Sequence, residues 1–183
     1  FSNEGALSMQ LNLWFQNHAQ LLDVIFLRMK ETGQITSDSL FTFLQTWEFI
    51  DERDLPFLKL GINHYFADDH VSALHILVPR IEHMLKSVFE QTGAPSVTVP
   101  NDRQIREQPF GDFLYREDVR NTLGESIFQY LKFALIDESG LNLRNDIAHG
   151  WIKSESCNRL TVQIALYCIL QITRLIKKNP ENS

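Results

Sequence analysis

Arg144, Asn145, Asp146 and His149 fall within six residues of one another in the stretch Leu141-Asn142-Leu143-Arg144-Asn145-Asp146-Ile147-Ala148-His149-Gly150. The stretch stops at a glycine and lies between two strongly apolar segments. Nowhere else does the chain set a fixed cation, an amide and a titratable base so close together. Those residue types suit phosphodiester chemistry. An imidazole that titrates near about 6.5 takes or gives a proton at neutral pH, and a permanently charged guanidinium holds a phosphate and the charge that develops on it. Asp146 adds an anion that could favour a charged His149 or compete for Arg144.

Spacing sets a condition on this chemistry. On a helix, Asn145 and His149 are four apart, about 40° around the axis, and share a face. Arg144 and His149 are five apart, roughly 140° around, so they converge only if Arg144 stands at the helix start or reaches across the turn. A structural role fits the same residues: an Arg–Asp pair, and a histidine at a helix C-terminus where the dipole favours a cation.

The elements that must position this stretch read as helices. Apolar residues at 7, 11, 14, 15, 21, 22, 25 and 29, with His18 among them, form a stripe of 3.6-residue period that Gly33 closes. Thr36 or Ser37 can cap a second helix carrying Leu40, Phe41, Leu44 and Trp47. A third runs from Leu55-Pro56 to Phe66 despite Gly61. Asp68-Asp69 opens a fourth, with Val71, Leu74, Val78, Ile81, Leu85, Val88 and Phe89 as its apolar face and Gly93 as its end. Pro79 lies inside it and predicts a kink there.

Residues 92–116 carry Gly93, Pro95, Pro100, Pro109 and Gly111 without a clear period, which predicts a long mobile surface loop with one short helical turn. Thr122-Leu123-Gly124-Glu125 matches a capping box for a helix bearing Ile127, Tyr130, Leu131, Ala134 and Leu135, closed by Gly140. The last helix runs from near Cys157 to about Lys178. It is apolar nearly all round, so it must be central in a bundle or half covered by a second subunit. The fold expected is all-α, a helical bundle.

Composition narrows the function classes. Seventeen basic against twenty-three acidic residues, net −6, argue against a broad nucleic-acid-binding surface but leave room for a local basic site. No signal peptide is read. The first residue, Phe1, suggests a processed chain or a domain cut from a longer protein. The strongly apolar uncharged run Leu160 to Thr173 falls short of the about 20 residues of a bilayer span. Cys157 and Cys168 are eleven apart on one helix, roughly 16 Å, too far for a disulfide, and read as reduced core residues of a cytoplasmic protein.

Other constellations carry weaker signals. His64, Asp68 and His75 have spacings a metal could use, but no HExxH or CxxC pattern supports them, and the aspartates are better explained as a helix start. Ser154 and Ser156 lack a nucleophile elbow and read as caps. No Walker-type or GxGxxG loop is present. Arg103, Arg106, Phe110, Phe113, Tyr115 and Arg116 interleave charge with rings as an RNA-contacting flap would, though Glu107, Asp112, Glu117 and Asp118 dilute the pattern and favour a solvated loop. No metal or other cofactor is expected.

The string Arg144-Asn145-Asp146-Ile147-Ala148-His149-Gly150 resembles the RNxxxHG signature of a branch of the HEPN superfamily (higher eukaryotes and prokaryotes nucleotide-binding domains). Asp69 to Glu82 is similar to the helix that precedes the motif there. The likeness covers roughly residues 67–178 and leaves 1–66 unexplained, which divides the chain into an N-terminal helical region, 1–66, and a HEPN-like domain, 67–183. The resemblance implies a helical bundle that homodimerises with its two motifs facing each other. It also implies a metal-independent endoribonuclease that drives an RNA 2′-hydroxyl onto the adjacent phosphate. On that reading His149 is the general acid/base, Arg144 the phosphate clamp, Asn145 a positioning partner and Glu82 an acid that orients Arg144 across the bundle. Other HEPN domains only bind nucleotides, RNA or proteins, which is the alternative reading here. RNA or a nucleotide is the expected ligand, with neither DNA nor a membrane as partner.

Overall fold

The computed structural model of the chain describes residues 3–94, 96–98 and 106–176. Within them the protein is an all-α bundle, and the one departure is a short antiparallel pairing of β1 (Val97–Thr98) with β2 (Arg106–Glu107).

Helix α1 (Asn3–Glu31) forms where the periodicity places it and buries Phe15 and Leu22 of the expected stripe, but its inward face is rotated away from the rest of that stripe. Phe15, Ala19, Leu22 and Phe26 are buried, whereas Trp14, Leu21 and Ile25, expected in the core, are exposed together with Leu13 and Val24. The side chains of Leu7 and Leu11 lie outside the described residues. The helix is apolar on two flanks, and the flank whose rings fill the interior wins: Phe15 meets Phe133 and Tyr130 at 4.5 and 5.0 Å between centroids, and Phe26 meets Tyr65 at 6.4 Å.

Helix α2 (Ser37–Gln45) begins at a reciprocal cap, with Ser39 N–H donating to Thr36 Oγ1 (3.1 Å) and Thr36 N–H donating to Ser39 Oγ (2.8 Å). Leu40 and Leu44 are buried, and Trp47 beyond the helix donates its Nε1–H to the Leu175 carbonyl at 3.0 Å. Helix α3 (Leu55–Phe66) takes Pro56 in its first turn. Gly61 lets α3 lie close against α4 (His70–Gln91), since a Cβ there would stand 2.7 Å from Leu77 Cδ2.

Asp69 caps α4 by accepting from Ser72 N–H at 3.1 Å, and the helix continues through Pro79. Leu74, Val78, Ile81, Leu85, Val88 and Phe89 form its buried face as expected. Val71 does not join them. It sits in the first turn, before the helix meets the core, and is exposed.

The segment 92–116 is not simply a surface loop. It contains α5 (Phe110–Leu114), whose Phe110, Phe113 and Leu114 are fully buried, while Pro95, Pro100 and Arg103 lie outside the described residues. The expected cap at Thr122 is also replaced. Residues Glu117–Leu123 form their own helix, α6, and Gly124, at φ +73°, breaks the chain before α7 (Glu125–Leu135).

After α7, α8 (Leu143–Ala148) and a 3₁₀ turn (Ser154–Ser156), helix α9 (Arg159–Ile172) starts at an Asn158–Thr161 capping box and ends at Ile172, short of the expected end near Lys178, because residues 173–176 leave the helix. Of the two settings its sequence allowed, α9 occupies the bundle centre, packed by α1, α4 and α7. One continuous buried cluster runs from Phe15 through Leu58 and Ile62 to Leu77, Leu131, Val162 and Ile172, so residues before and after position 66 share a core. No helix among the described residues is long and apolar enough to cross a membrane.

Candidate functional site

Helix α8 is a six-residue helix held at both ends by its own sequence. On entry, Gly140 passes against Phe133, where any Cβ would collide with the Phe133 carbonyl, and Leu141 N–H donates to that same carbonyl at 3.0 Å. Asn142 then takes a left-handed conformation, φ +49°, which asparagine tolerates better than most residues. Its amide gathers the first turn: Asn142 Nδ2 donates to Asp146 Oδ1 at 2.9 Å and its Oδ1 accepts from Asn145 Nδ2 at 2.9 Å. Leu143 anchors the turn in the core. On exit, Gly150 at φ +69° reverses the chain, and the Asp146 carbonyl accepts from both Trp151 N–H (2.7 Å) and Ile152 N–H (3.1 Å).

Arg144 therefore stands in the first turn of α8, one of the two positions the spacing required. Its Nε donates to Glu82 Oε2 on α4 at 2.8 Å, and its Nη1 donates to Asn145 Oδ1 at 3.2 Å. The other Glu82 oxygen, Oε1, accepts from Lys86 Nζ at 2.7 Å. Lys86, almost wholly buried, spends its remaining two donors on Glu107 Oε1 (2.8 Å) and the Gln108 carbonyl (2.9 Å). Glu82 thus holds one edge of the guanidinium while a fully committed lysine holds Glu82. Among the described residues Arg144 Nη2 has no hydrogen-bond acceptor, which leaves that corner for an anion.

His149 caps the C-terminal end of α8 with an exposed ring. The ring makes no hydrogen bond to a described residue and stacks on Trp151, with centroids 4.7 Å apart and planes at 27°. Trp151 is 69% exposed, unusual for an indole. The pair forms an aromatic platform with a titratable edge.

The structure joins Arg144, Asn145 and Glu82 in one hydrogen-bonded chain and leaves His149 separate from it, on Trp151. Asp146 does not pair with Arg144; its carboxylate supports Asn142. The other candidates disperse. His64 pairs with Asp69 (2.9 Å), Asp68 with Lys30 (3.0 Å), and His75 Nδ1 lies 2.8 Å from the Val71 carbonyl. No group of three metal-ligating side chains occurs among the described residues. Ser154 and Ser156 build the 3₁₀ turn, and the Ser156 carbonyl accepts from Thr161 Oγ1 at 2.7 Å. Phe110 and Phe113 are buried and cannot stack on a base, which leaves Tyr115, 54% exposed, as the accessible ring of the three expected in a flap. Cys157 and Cys168 are free thiols, half-buried and buried.

Sequence reasoning missed Trp151, Asn142 and Lys86. Trp151 carried a usable signal, a large aromatic directly after the glycine that ends the motif. Compared with family models, with curated proteins and with solved structures, the chain shows no significant match.

Proposed function

We propose that the protein is a HEPN-like, metal-independent endoribonuclease whose site is Arg144, Asn145 and His149 with Trp151 as a base-stacking platform. The observation that carries this reading is the exposed, unbonded imidazole of His149 lying on an exposed indole, at the end of the helix whose first turn presents a guanidinium fixed by Glu82 but not saturated. A single-stranded base stacks on Trp151, as aromatic platforms hold bases regardless of sequence. The neighbouring phosphate takes the free corner of Arg144. His149 then exchanges a proton with the reacting oxygens as the 2′-hydroxyl attacks phosphorus, the P–O5′ bond breaks and a 2′,3′-cyclic phosphate forms. Asn145 positions Arg144 and does not itself touch the reacting atoms. Glu82 belongs to the same positioning layer. The working assembly in this proposal is a cytoplasmic homodimer. Its contact must use surfaces other than the core of α9, which the chain already covers.

RNA cleavage in excess EDTA by the wild type, His149→Ala and Arg144→Ala tests the proposal. Cleavage by the wild type with loss of at least about 100-fold in His149→Ala is expected for a proton-transfer group. Equal activity of the two proteins, or activity abolished by EDTA, overturns the mechanism. The second reading is a non-catalytic RNA- or nucleotide-binding module. It is favoured by Glu82, which already neutralises much of the Arg144 charge that a transition state would need. Binding without cleavage, retained in His149→Ala, would establish it.

A further inference from the structure

Helix α1 leaves much of its apolar surface out of the core. Met9, Leu13, Trp14, Leu21, Val24 and Ile25 are 41% to 66% exposed, on the sides turned away from buried Phe15, Ala19, Leu22 and Phe26. Between Met9 and Ile25 the one Asp, Glu, Lys or Arg is Asp23, and its carboxylate turns to α9, where Oδ1 accepts from Arg159 Nε at 2.8 Å. The exposed polar residues of the stretch, Gln10, Gln16, Asn17 and Gln20, are all neutral. A helix face that meets water carries charge, and this one carries none. At roughly 100 Å² for each half-exposed side chain of this size, the patch is on the order of 600 Å², the upper end of what a monomer leaves bare.

We infer that this face is the contact between two copies of the chain, with α1 packed antiparallel on the α1 of a second copy across a twofold axis at Asn17. The contact gives the homodimer named above its surface, and it stands on α1 alone, independent of the catalytic reading. The register follows from one row of residues. Met9, Leu13, Asn17, Leu21 and Ile25 are four apart and form a single i±4 ridge, which crosses the outward face obliquely. From either end the ridge reads apolar, Leu, Asn, Leu, apolar. Run antiparallel about Asn17, it sets Leu13 against Leu21 and Met9 against Ile25 in both directions, as an isologous contact demands.

Two such ridges interdigitate at a crossing angle of about −50°, the commonest packing of helices. At the crossing the two Asn17 amides meet, each with a donor and an acceptor for the other, and fix the register as a buried polar residue does in a coiled coil. The missing charge also selects the partner. An acidic or basic protein finds nothing to pair with here, whereas two chains of net charge −6 can approach through this face without setting like charges against each other. Two patches together bury on the order of 1,200 Å², which reaches the range of stable interfaces. One edge of the face, Gln16 and Gln20, lines a groove with Leu141, Leu143 and Asp146, so the interface borders the helix that carries Arg144.

The test is sedimentation equilibrium of the whole chain between about 1 and 100 µM, together with cysteine cross-linking. The wild type is expected to be a dimer. Leu21→Glu, at an exposed position that the fold does not need, is expected to raise the dissociation constant at least about 100-fold and to leave the melting temperature of the dilute protein unchanged. Helices packed about 8–10 Å apart, with Cα atoms about 2.3 Å off each axis, bring the two Cα atoms of position 17 to about 4–5 Å, within disulfide reach. Asn17→Cys is therefore expected to form a covalent dimer on mild oxidation. Arg28→Cys, also exposed but about 16 Å along the helix from the axis, is expected to cross-link no more than the wild type. A wild type that stays monomeric at about 100 µM, as it would if a different protein covered the face, overturns the inference. So does a dimer that Leu21→Glu leaves intact, or one that Asn17→Cys does not cross-link. Because RNA cleavage is not the readout, each of these results leaves the roles of Arg144 and His149 to their own test.

Discussion

Glu82→Ala removes the residue on which the candidate site is hung, and its cost follows from the contacts. The carboxylate accepts two charge-assisted bonds, from Arg144 at 2.8 Å and Lys86 at 2.7 Å, and its side chain is 19% exposed. Bonds to charged groups contribute about 1.5–3 kcal/mol each. The Arg144 side chain is 27% exposed and can reach water once released, so its share belongs at the low end. Lys86 cannot: its side chain is 5% exposed, and without Glu82 its ammonium keeps one carboxylate, Glu107, which is itself 68% exposed. Stranding a buried charge costs about 3–5 kcal/mol, so Glu82→Ala is expected to lose roughly that amount. For a chain of this length the loss lowers the melting temperature by about 10 °C.

Glu82→Gln keeps an acceptor at one edge and should lose about half as much. Urea denaturation of the wild type, Glu82→Ala, Arg144→Ala and the double variant separates the terms, with a Glu82–Arg144 coupling of about 1–2 kcal/mol expected. A coupling below about 0.5 kcal/mol, or a total loss no larger than that of an ordinary surface change, would refute the picture of a clamped arginine.

Further outcomes follow from single contacts. Gly61→Ala puts a methyl 2.7 Å from Leu77 Cδ2 and should destabilise the α3–α4 packing by about 1–3 kcal/mol in urea; an unchanged midpoint would contradict that close approach. Burial pushes the His18 imidazole below its ordinary value, so the unfolded chain binds that proton more readily than the fold does. Its contribution is complete above about pH 6.5 and is lost as pH falls through the folded value, a slope that His18→Phe should flatten between pH 7.5 and 5.5. The carboxylates held low by arginines, Asp23 by Arg159 and Asp51 by Arg53 to about 2, act in a more acidic window and do not mask it. A wild type more stable at pH 5.5 would reverse the sign and refute the assignment. Trp151→Ala should weaken single-stranded RNA binding by about 1–3 kcal/mol in a fluorescence titration without changing the melting temperature; full retention of affinity would remove the platform.

Most of the scaffold was legible where local signals and burial agree. Thr36, Pro56 and Asp69 mark three helix starts with the chemistry that orphan backbone donors demand, and the structure uses each of them. α1 was legible as a helix but not in its facing, because Leu13, Trp14, Leu21 and Val24 make a second apolar flank that periodicity cannot rank against Phe15 and Phe26. α5 and α6 are five and seven residues long, too short to show a period, and they are held by tertiary burial of Phe110, Phe113, Leu114 and Val119. At the candidate site, residue types and spacing pointed to Arg144, Asn145 and His149. They could not show that α8 is six residues long, that Asn142 folds its first turn, or that Lys86 anchors Glu82. The Asn142 and Lys86 bonds are local, three or four residues apart, but residue type alone does not set their geometry, and the Glu82–Arg144 clamp they support joins segments 62 residues apart. Asp54 read as the residue before a helix and is in the structure a buried partner of His83.

The chemical form of the cleaved ends tests the central claim most directly. A defined single-stranded RNA is incubated with the protein in EDTA, and the products are resolved by mass. Attack by the 2′-hydroxyl under Arg144 and His149 predicts 2′,3′-cyclic phosphate and 5′-hydroxyl ends in the wild type and no product from His149→Ala. Ends carrying a 5′-phosphate and a 3′-hydroxyl would mean that water attacked the phosphorus, and would contradict the account.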